Sequence, residues 1–249
     1  MRWDPDRYLE FTHDRLRPAV DLLARIPVDS PGSVWDLGCG TGLVTALLAE
    51  RWPHADITGL DSSAEMLEVA RQRTDVRWVS GDITDWEPPE TADVAVCNAV
   101  LQWVDGHTTL LPRLMAGTAV LAVQMPRNFD APSHTILAET AASPRWRDRV
   151  GHLRRERPVA DPEEYYDALA PVAYRIDLWE TEYIHLLTGD DPVPRWVSGT
   201  AARPHLEVLG EDGPAFLSEY AERVRSAYPR RPDGTTLFPF RRIFIVASR

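Results

Sequence analysis

Short apolar runs alternate with helically spaced apolar positions through the first half of the chain. Ser33–Leu37, Ile57–Leu60, Val76–Val79, Ala92–Cys97 and Ala119–Val123 read as strands, each stopping at Gly, Asp, Asn or Gln. Between them, Leu43, Ala46, Leu47, Leu48 and Trp52 mark a helix halted by Pro53. Ser62-Ser63-Ala64-Glu65 has the form of a capping box and predicts a helix from about Ser63 to Arg73. Upstream, Trp3, Tyr8, Phe11, Leu16, Val20, Leu22 and Leu23 are spaced as in helices ending near Ile26-Pro27, before the turn residues Asp29 to Gly32. Strands and helices in alternation imply a parallel sheet covered on both faces. Past Met125-Pro126 the rhythm changes. Residues 128–160 offer no strand, Glu163–Leu169 reads as a helix and Tyr174–Leu187 as a long β-like run. Residues 191–227 look helical again, and Thr236–Ser248 forms a last strand.

At 249 residues the chain suits one large domain, or one domain with a sizeable insertion. Hydrophobic residues at 44% and charged residues at 26% exclude a mainly disordered chain. With 27 Lys and Arg against 38 Asp and Glu, the net charge of −11 argues against a general nucleic-acid or anionic-membrane binder. The run Arg145, Arg147, Arg149, Arg154, Arg155 and Arg157 is interleaved with Asp148 and Glu156, which suits a solvated helical face. The only cysteines, Cys39 and Cys97, build no disulfide framework, and no zinc-ligand spacing occurs, so no metal is expected. No apolar run approaches the ~18 residues of a membrane span, and Met1 to Asp6 lacks the apolar stretch of a leader. A cytoplasmic protein is the expectation.

The chemistry concentrates at the strand ends. Asp36-Leu37-Gly38-Cys39-Gly40-Thr41-Gly42 closes the first strand and opens a helix, so its glycines let backbone N–H groups approach a ligand. Leu43 stands where a nicotinamide- or flavin-type G-x-G-x-x-G would want its last glycine, and no Gly-Lys-Ser/Thr ending marks a P-loop. Asp61 ends the second strand, where a carboxylate can accept from both hydroxyls of a ribose; Asp82, beside Ile83, follows the third, and Asn98 the fourth. Each acidic residue alone suits a helix cap or turn. Their recurrence at successive strand ends marks the crevice where ligands bind in open α/β sheets.

Through Asp36 to Gly42, Asp61, Gly81-Asp82-Ile83 and Cys97-Asn98, residues 33–125 resemble the class I S-adenosylmethionine-dependent methyltransferases. Trp3-Asp-Pro-Asp-Arg-Tyr8, Asn98-Ala-Val-Leu-Gln102-Trp103, Val123 to Asn128, Tyr165-Tyr166 and Phe240-Arg-Arg242-Ile-Phe-Ile-Val-Ala247 narrow the resemblance to the trans-aconitate 2-methyltransferase family, in the same order and over nearly the whole chain. The resemblance implies a Rossmann-like, seven-stranded α/β sheet with an antiparallel last strand. It also implies a single methyltransferase domain over 1–249, with helical lid elements at about 1–27, 128–160 and 190–235. The cofactor would be S-adenosylmethionine, leaving as S-adenosylhomocysteine. The loop from Gly38 through Cys39 and Gly40 to Gly42 would hold its methionine portion and Asp61 its ribose, Asp82 and Ile83 would face its adenine, and Asn98 would lie near its reacting end; Asp36 and Ser62 complete the implied cofactor-binding set. Pro112 departs from the pattern: it interrupts the expected helix, and the connection to Gly117 reads as short, with a distorted sheet edge expected there.

A carboxylate acceptor, with pKa near 4, is ionised at pH 7 and needs no general base, so no catalytic residue is expected beyond those that align the reactants. Recognition of a small polycarboxylate calls for Arg forks, His, Tyr or amide donors. Arg242 is the first candidate, although strand alternation could equally turn it to solvent. His185 suits a core or edge histidine as well as a ligand contact, and Tyr8 and Tyr166 suit packing as well as a pocket. Gln102 and Trp103 lie near the methyl position; Arg203 and His134 are weaker. The alternatives are the same fold acting on a phenol or amine, with His107 or His185 as base, and a non-catalytic module that binds S-adenosylmethionine.

Overall fold

The computed structural model describes residues 12–73, 76–153 and 157–249. The segment Trp3 to Tyr8, and with it the candidate Tyr8, lies outside the described residues, as do Arg154, Arg155 and Glu156. Helix α1 (Thr12–Leu23) leads to β1 (Ser33–Leu37), α2 (Leu43–Arg51), β2 (Asp56–Asp61), α3 (Ala64–Ala70), β3 (Arg77–Ser80) and β4 (Ala92–Asn98). Helix α4 (His107–Ala116) and β5 (Thr118–Pro126) follow, then α5 (Pro132–Ala141), α6 (Arg147–Val150) and α7 (Pro162–Leu169). The chain ends through β6 (Arg175–Leu187), α8 (Pro192–Ser198), α9 (Arg203–Leu209), α10 (Gly213–Val224) and β7 (Thr236–Ser248).

The strands form one seven-stranded sheet in the order β3-β2-β1-β4-β5-β7-β6. Strands β1 to β5 pair in parallel, and β7 joins β5 antiparallel from Val120↔Ser248 to Pro126↔Arg242. Strand order reverses between β1 and β4, the switch point at which loops from both halves leave the sheet in opposite directions.

The chain divides into two compact units. One comprises His13–Pro126, Val159–Thr181 and Arg242–Arg249; the other comprises Arg127–Pro158 and Glu182–Arg241, with Thr12. The first is built on the sheet, with Val94, Ala95, Val96, Cys97, Leu121, Ala122, Val123, Ile243, Phe244 and Ile245 fully buried. Such unbroken burial is what strands covered on both faces require, on β4 and β5 as on the antiparallel β7. The second has its own aromatic core, in which Trp146, Trp196, Phe216, Tyr220, Phe238 and Phe240 cluster with Leu137, Leu187 and Leu209. The expected lid segments 128–160 and 190–235 contribute mainly to this second unit, while α1 belongs almost wholly to the first.

Two local expectations are corrected. Pro112 sits inside α4, which runs unbroken to Ala116, and β4 and β5 pair in register from Ala92↔Thr118 to Asn98↔Gln124. The hydrogen bond that Pro112 forgoes is the one to Thr108, in the first turn, while buried Leu110, Leu111, Leu114 and Met115 hold the helix down. The cap of α3 is Ser63, whose Oγ accepts from the Met66 N–H at 3.3 Å, and the helix ends at Ala70 rather than Arg73. Asp61 sets this register: its Oδ1 accepts the Ser63 N–H at 2.8 Å and fixes the turn that enters the helix.

Candidate active site

The pleat arranges the polar strand-end residues in one row. Asp36 pairs with Gly59 on one side and Val96 on the other, so Asp61 and Asn98, two residues further on, share its face. Asn98 pairs with Gln124, Gln124 with Phe244, and Pro126 with Arg242, which carries the same face across β5 and β7. From β2 to β7 the row reads Asp61, Asp36, Asn98, Gln124, Arg242.

The glycine loop is held from below by this row. Gly38 and Cys39 donate to the Leu60 carbonyl at 2.7 and 3.0 Å, and Gly40 donates to Asp61 Oδ2 at 2.8 Å. Gly42 has φ +77°, and a Cβ there would lie 2.6 Å from the Trp78 ring; only glycine fits. Gly40 has φ +54°, yet a Cβ there would meet no atom within 4 Å. The loop is therefore closed on its sheet side and open at Gly40. Two of the roughly four acceptor positions of the Asp61 carboxylate are taken by Gly40 and Ser63, leaving two, the number a ribose diol requires.

Asp36 is buried beneath the loop and accepts from Thr45 Oγ1 at 2.6 Å. Burial pushes its carboxyl up to about 7; the Thr45 bond pulls it back, and the charge of Asp61 adds to the rise. Cys39 is 7% exposed, and burial, followed by the charges of Asp36 and Asp61, pushes its thiol far up. Ser62 is exposed beside the cap of α3. Asp82 is exposed; its Oδ1 accepts from Thr84 N–H and Oγ1 at 2.8 and 2.7 Å, bonds that hold its pKa below the usual carboxylate value. Its Oδ2 stays open beside buried Ile83.

At the end of β4 the chain turns sharply. Ala99 adopts φ 55°, rare for a residue with a Cβ, and is held by its N–H to the Gln124 carbonyl at 2.8 Å and by Gln102 Nε2 to its own carbonyl at 2.6 Å. Gln102 is thus buried as a brace of this turn, while Trp103 is 56% exposed. The Asn98 Oδ1 and both amide atoms of Gln124 are buried without a protein hydrogen bond.

The remaining candidates separate by burial. Arg242 is only 5% exposed: along β7 Leu237 is exposed and Pro239 and Arg241 half-buried while Phe238, Phe240 and Arg242 are buried, so alternation turns Arg242 to the covered face and not to solvent. His185 belongs to the second unit, 3% exposed and stacked on Trp196 at 4.7 Å, with Phe240 edge-on at 5.7 Å. In the same unit, Arg203 pairs with Glu207 along α9, and His134 bonds Ser133 Oγ at 3.1 Å, burial pushing its pKa down to about 4.

Tyr166 is 56% exposed; its neighbour Tyr165 is fully buried and was missed. The signal was available, because Tyr165 and Leu169 are spaced i, i+4 on the buried face of α7. The Tyr165 hydroxyl accepts the Ala160 N–H at 2.9 Å and meets His107 Nε2 at 2.8 Å. His107 Nδ1 lies 3.1 Å from the Val104 carbonyl, which can only accept, so Nδ1 carries the proton and Nε2 accepts from the tyrosine. With both ring nitrogens engaged inside the first unit, His107 is a poor base for a phenol or amine acceptor.

Comparison with known proteins agrees with this geometry. A family model described as a methyltransferase domain matches residues 34–119. The trans-aconitate 2-methyltransferase of Azoarcus sp. (strain BH72) is 47% identical over 252 residues, covering 99% of both chains. That of Streptomyces avermitilis is also 47% identical, over 261 residues, covering 99% of this chain and 97% of the relative. The crystal structure of YcgJ from Bacillus subtilis shares the fold, with a TM-score of 0.58 at 14% identity over 95% of this chain and 98% of that one. A seven-stranded sheet with its antiparallel strand beside β5, an open glycine loop at the switch point and kinship over its full length leave one conclusion: the chain belongs to the trans-aconitate 2-methyltransferase family of class I S-adenosylmethionine-dependent methyltransferases.

Proposed function

We propose that the chain transfers a methyl group from S-adenosylmethionine to one carboxylate of trans-aconitate, or of a related small polycarboxylate, giving a monomethyl ester. One observation carries the choice of acceptor. The methyltransferase-domain model ends at residue 119, whereas 47% identity extends over 99% of the chain and so includes the segments outside that common core.

The loop from Gly38 to Gly42, with Cys39, would hold the methionine portion of the cofactor, a reading supported by the open side at Gly40. Asp61 would take the ribose hydroxyls, with Ser62 beside it, Asp82 and Ile83 the adenine, and Asn98 the reacting end. Asp36 fixes the helix behind the loop through Thr45. When bound, the cofactor supplies a methyl carbon on a sulfonium, to which the acceptor oxygen bonds as the carbon–sulfur bond breaks and its electron pair stays on sulfur. No proton has to move, so the residues' task is to align the acceptor and exclude water. Arg242, planar, buried and permanently charged, would grip a carboxylate that does not react. Gln102, Trp103, Tyr8, Tyr166 and His185 remain candidates for shaping the acceptor site.

The test uses labelled cofactor with a panel of organic acids, phenols and amines on the parent and on Arg242→Ala and Arg242→Lys. A charge-assisted hydrogen bond to a carboxylate contributes about 1.5 to 3 kcal/mol, so Arg242→Ala should lower kcat/KM for trans-aconitate by roughly 10- to 150-fold with little change in cofactor affinity. Arg242→Lys should recover part. A parent inert to every polycarboxylate but active on a phenol or amine would overturn the substrate assignment.

A further inference from the structure

We infer that Gln124 is a positioning residue for the acceptor, its side-chain amide donating to the carboxylate that receives the methyl group. The inference rests on the methyl-transfer reading above and assigns a residue to its acceptor side.

Gln124 breaks an otherwise apolar strand. Val120 to Met125 are all buried, and Gln124 is 1% exposed. Neither its Nε2 nor its Oε1 has a hydrogen-bond partner, although a buried amide normally finds at least one. Packing alone would be served better by Leu or Met at this position. A buried amide that no protein group satisfies is the mark of a group whose partner comes from outside the chain.

The position identifies that partner. Along the row at the carboxyl ends of the strands, Asp61 and Asp36 stand on one side, Asn98 and Gln124 in the middle, and Arg242 on the other. Carboxylates suit the positive sulfonium half of the ligand set, and the guanidinium suits an anion. The methyl group must therefore change hands near the middle, where the Asn98 side-chain oxygen Oδ1, also without a protein hydrogen bond, is followed on the Arg242 side by the Gln124 amide. An amide N–H can orient a carboxylate by one oxygen and leave the other free to attack.

Such a bond aids binding more than chemistry. The carboxylate is most negative before the transfer and loses charge as the ester forms, so a donor to it is at least as favourable in the ground state as in the transition state. Removing the donor should therefore raise KM more than it lowers kcat.

Gln124→Met keeps the length and removes both polar ends. The expected result is a KM for trans-aconitate raised about tenfold, kcat within about threefold of the parent and unchanged affinity for S-adenosylhomocysteine. The ligand-free Tm should stay level or rise by about 2 to 4 °C. Gln124→Glu, which sets a carboxylate against the acceptor, should raise KM further. An unchanged KM in an active Gln124→Met protein would overturn the inference, as would proportionate losses in KM, kcat and cofactor affinity, the pattern of a merely structural residue. If Gln124→Met does not fold, the Gln124 side-chain amide signal of the parent, identified by its absence from Gln124→Glu, takes its place. That signal should shift when trans-aconitate is added to the S-adenosylhomocysteine complex, and a signal that stays put overturns the inference. A parent inert toward polycarboxylates would instead remove the methyl-transfer reading itself.

Discussion

Replacing Asp36 by Asn should stabilise the protein above neutral pH and flatten its stability profile below it. The carboxyl group sits at 1% exposure under the glycine loop, with Thr45 Oγ1 as its hydrogen-bond donor and Asp61 as a like charge nearby. Its value of about 7 in the folded protein compares with 3.8 for the free group, so between those pH values the folded state binds more protons than the unfolded one. Stability is then fully present below pH 3.8 and falls as pH rises through 7. At 1.36 kcal/mol per tenfold change, the full span corresponds to about 4 kcal/mol, an upper bound because water entry relaxes the site. Asn keeps the shape and can still accept from Thr45 but does not ionise. Urea unfolding of both proteins at pH 5, 6, 7 and 8 checks this, with the difference expected to grow by at least about 1 kcal/mol across the series. The comparison matters because His134 has the opposite sign: its pKa is lowered to about 4, so its contribution is present above 6.5 and is lost as pH falls. The two oppose each other in the parent profile, and only the difference isolates Asp36. A stability difference that is constant with pH would refute the reasoning.

Asp61→Ala removes the acceptor of the Gly40 and Ser63 N–H groups together with the two acceptor positions proposed for the ribose; cofactor affinity measured by calorimetry should fall roughly 5- to 150-fold, for a loss of about 1 to 3 kcal/mol. Gly40→Ala and Gly42→Ala should part company. At Gly42 the new methyl meets Trp78 and should cost about 1 to 3 kcal/mol of stability, whereas at Gly40 it meets no protein atom, so the fold should lose only about 1 to 2 kcal/mol while cofactor binding suffers more. Equal loss of binding in the two, at equal stability, would count against an open side at Gly40. Tyr165→Phe removes the hydroxyl that the Ala160 N–H and His107 Nε2 both contact; thermal unfolding should show a loss of about 1 to 3 kcal/mol, or roughly 2 to 4 °C for each kcal/mol.

Strands were the legible part of this chain. Thr236–Ser248 is β7 to the residue, and β1 is Ser33–Leu37 as read, because buried strands between turn residues leave unambiguous runs. Local chemistry blurred the ends elsewhere. Asp61 takes the Ser63 N–H and moves the cap of α3 one residue on, a contact across a turn that a Ser-x-x-Glu spacing does not reveal. At Pro112 tertiary burial outweighed propensity. Within the candidate site, the placement of Asp61 and Asn98 at the ends of their strands was readable from single residues. The site was unreadable where it depends on which faces are covered. Alternation left Arg242 open between pocket and solvent, since nothing in the local run tells which face of β7 is covered. Gln124 passed unnoticed for the related reason that a lone amide in an apolar run becomes informative only when its partners can be counted.

Cys39 carries a further consequence for the chemistry of the loop. A thiolate is a strong nucleophile, and it, not the thiol, attacks electrophilic carbon. With the methyl donor placed as proposed, against the Gly38 to Gly42 loop, this is a hazardous place for cysteine, which could consume the donor and block the site with a thioether. Here the hazard is met by protonation: burial and the charges of Asp36 and Asp61 hold the Cys39 proton in place far above physiological pH. The negative groups that suit a sulfonium thus also keep the protein from alkylating itself. Intact-mass measurement after prolonged incubation with S-adenosylmethionine should find Cys39 unmodified, and a gain of one methyl group on that residue would show that the guard fails.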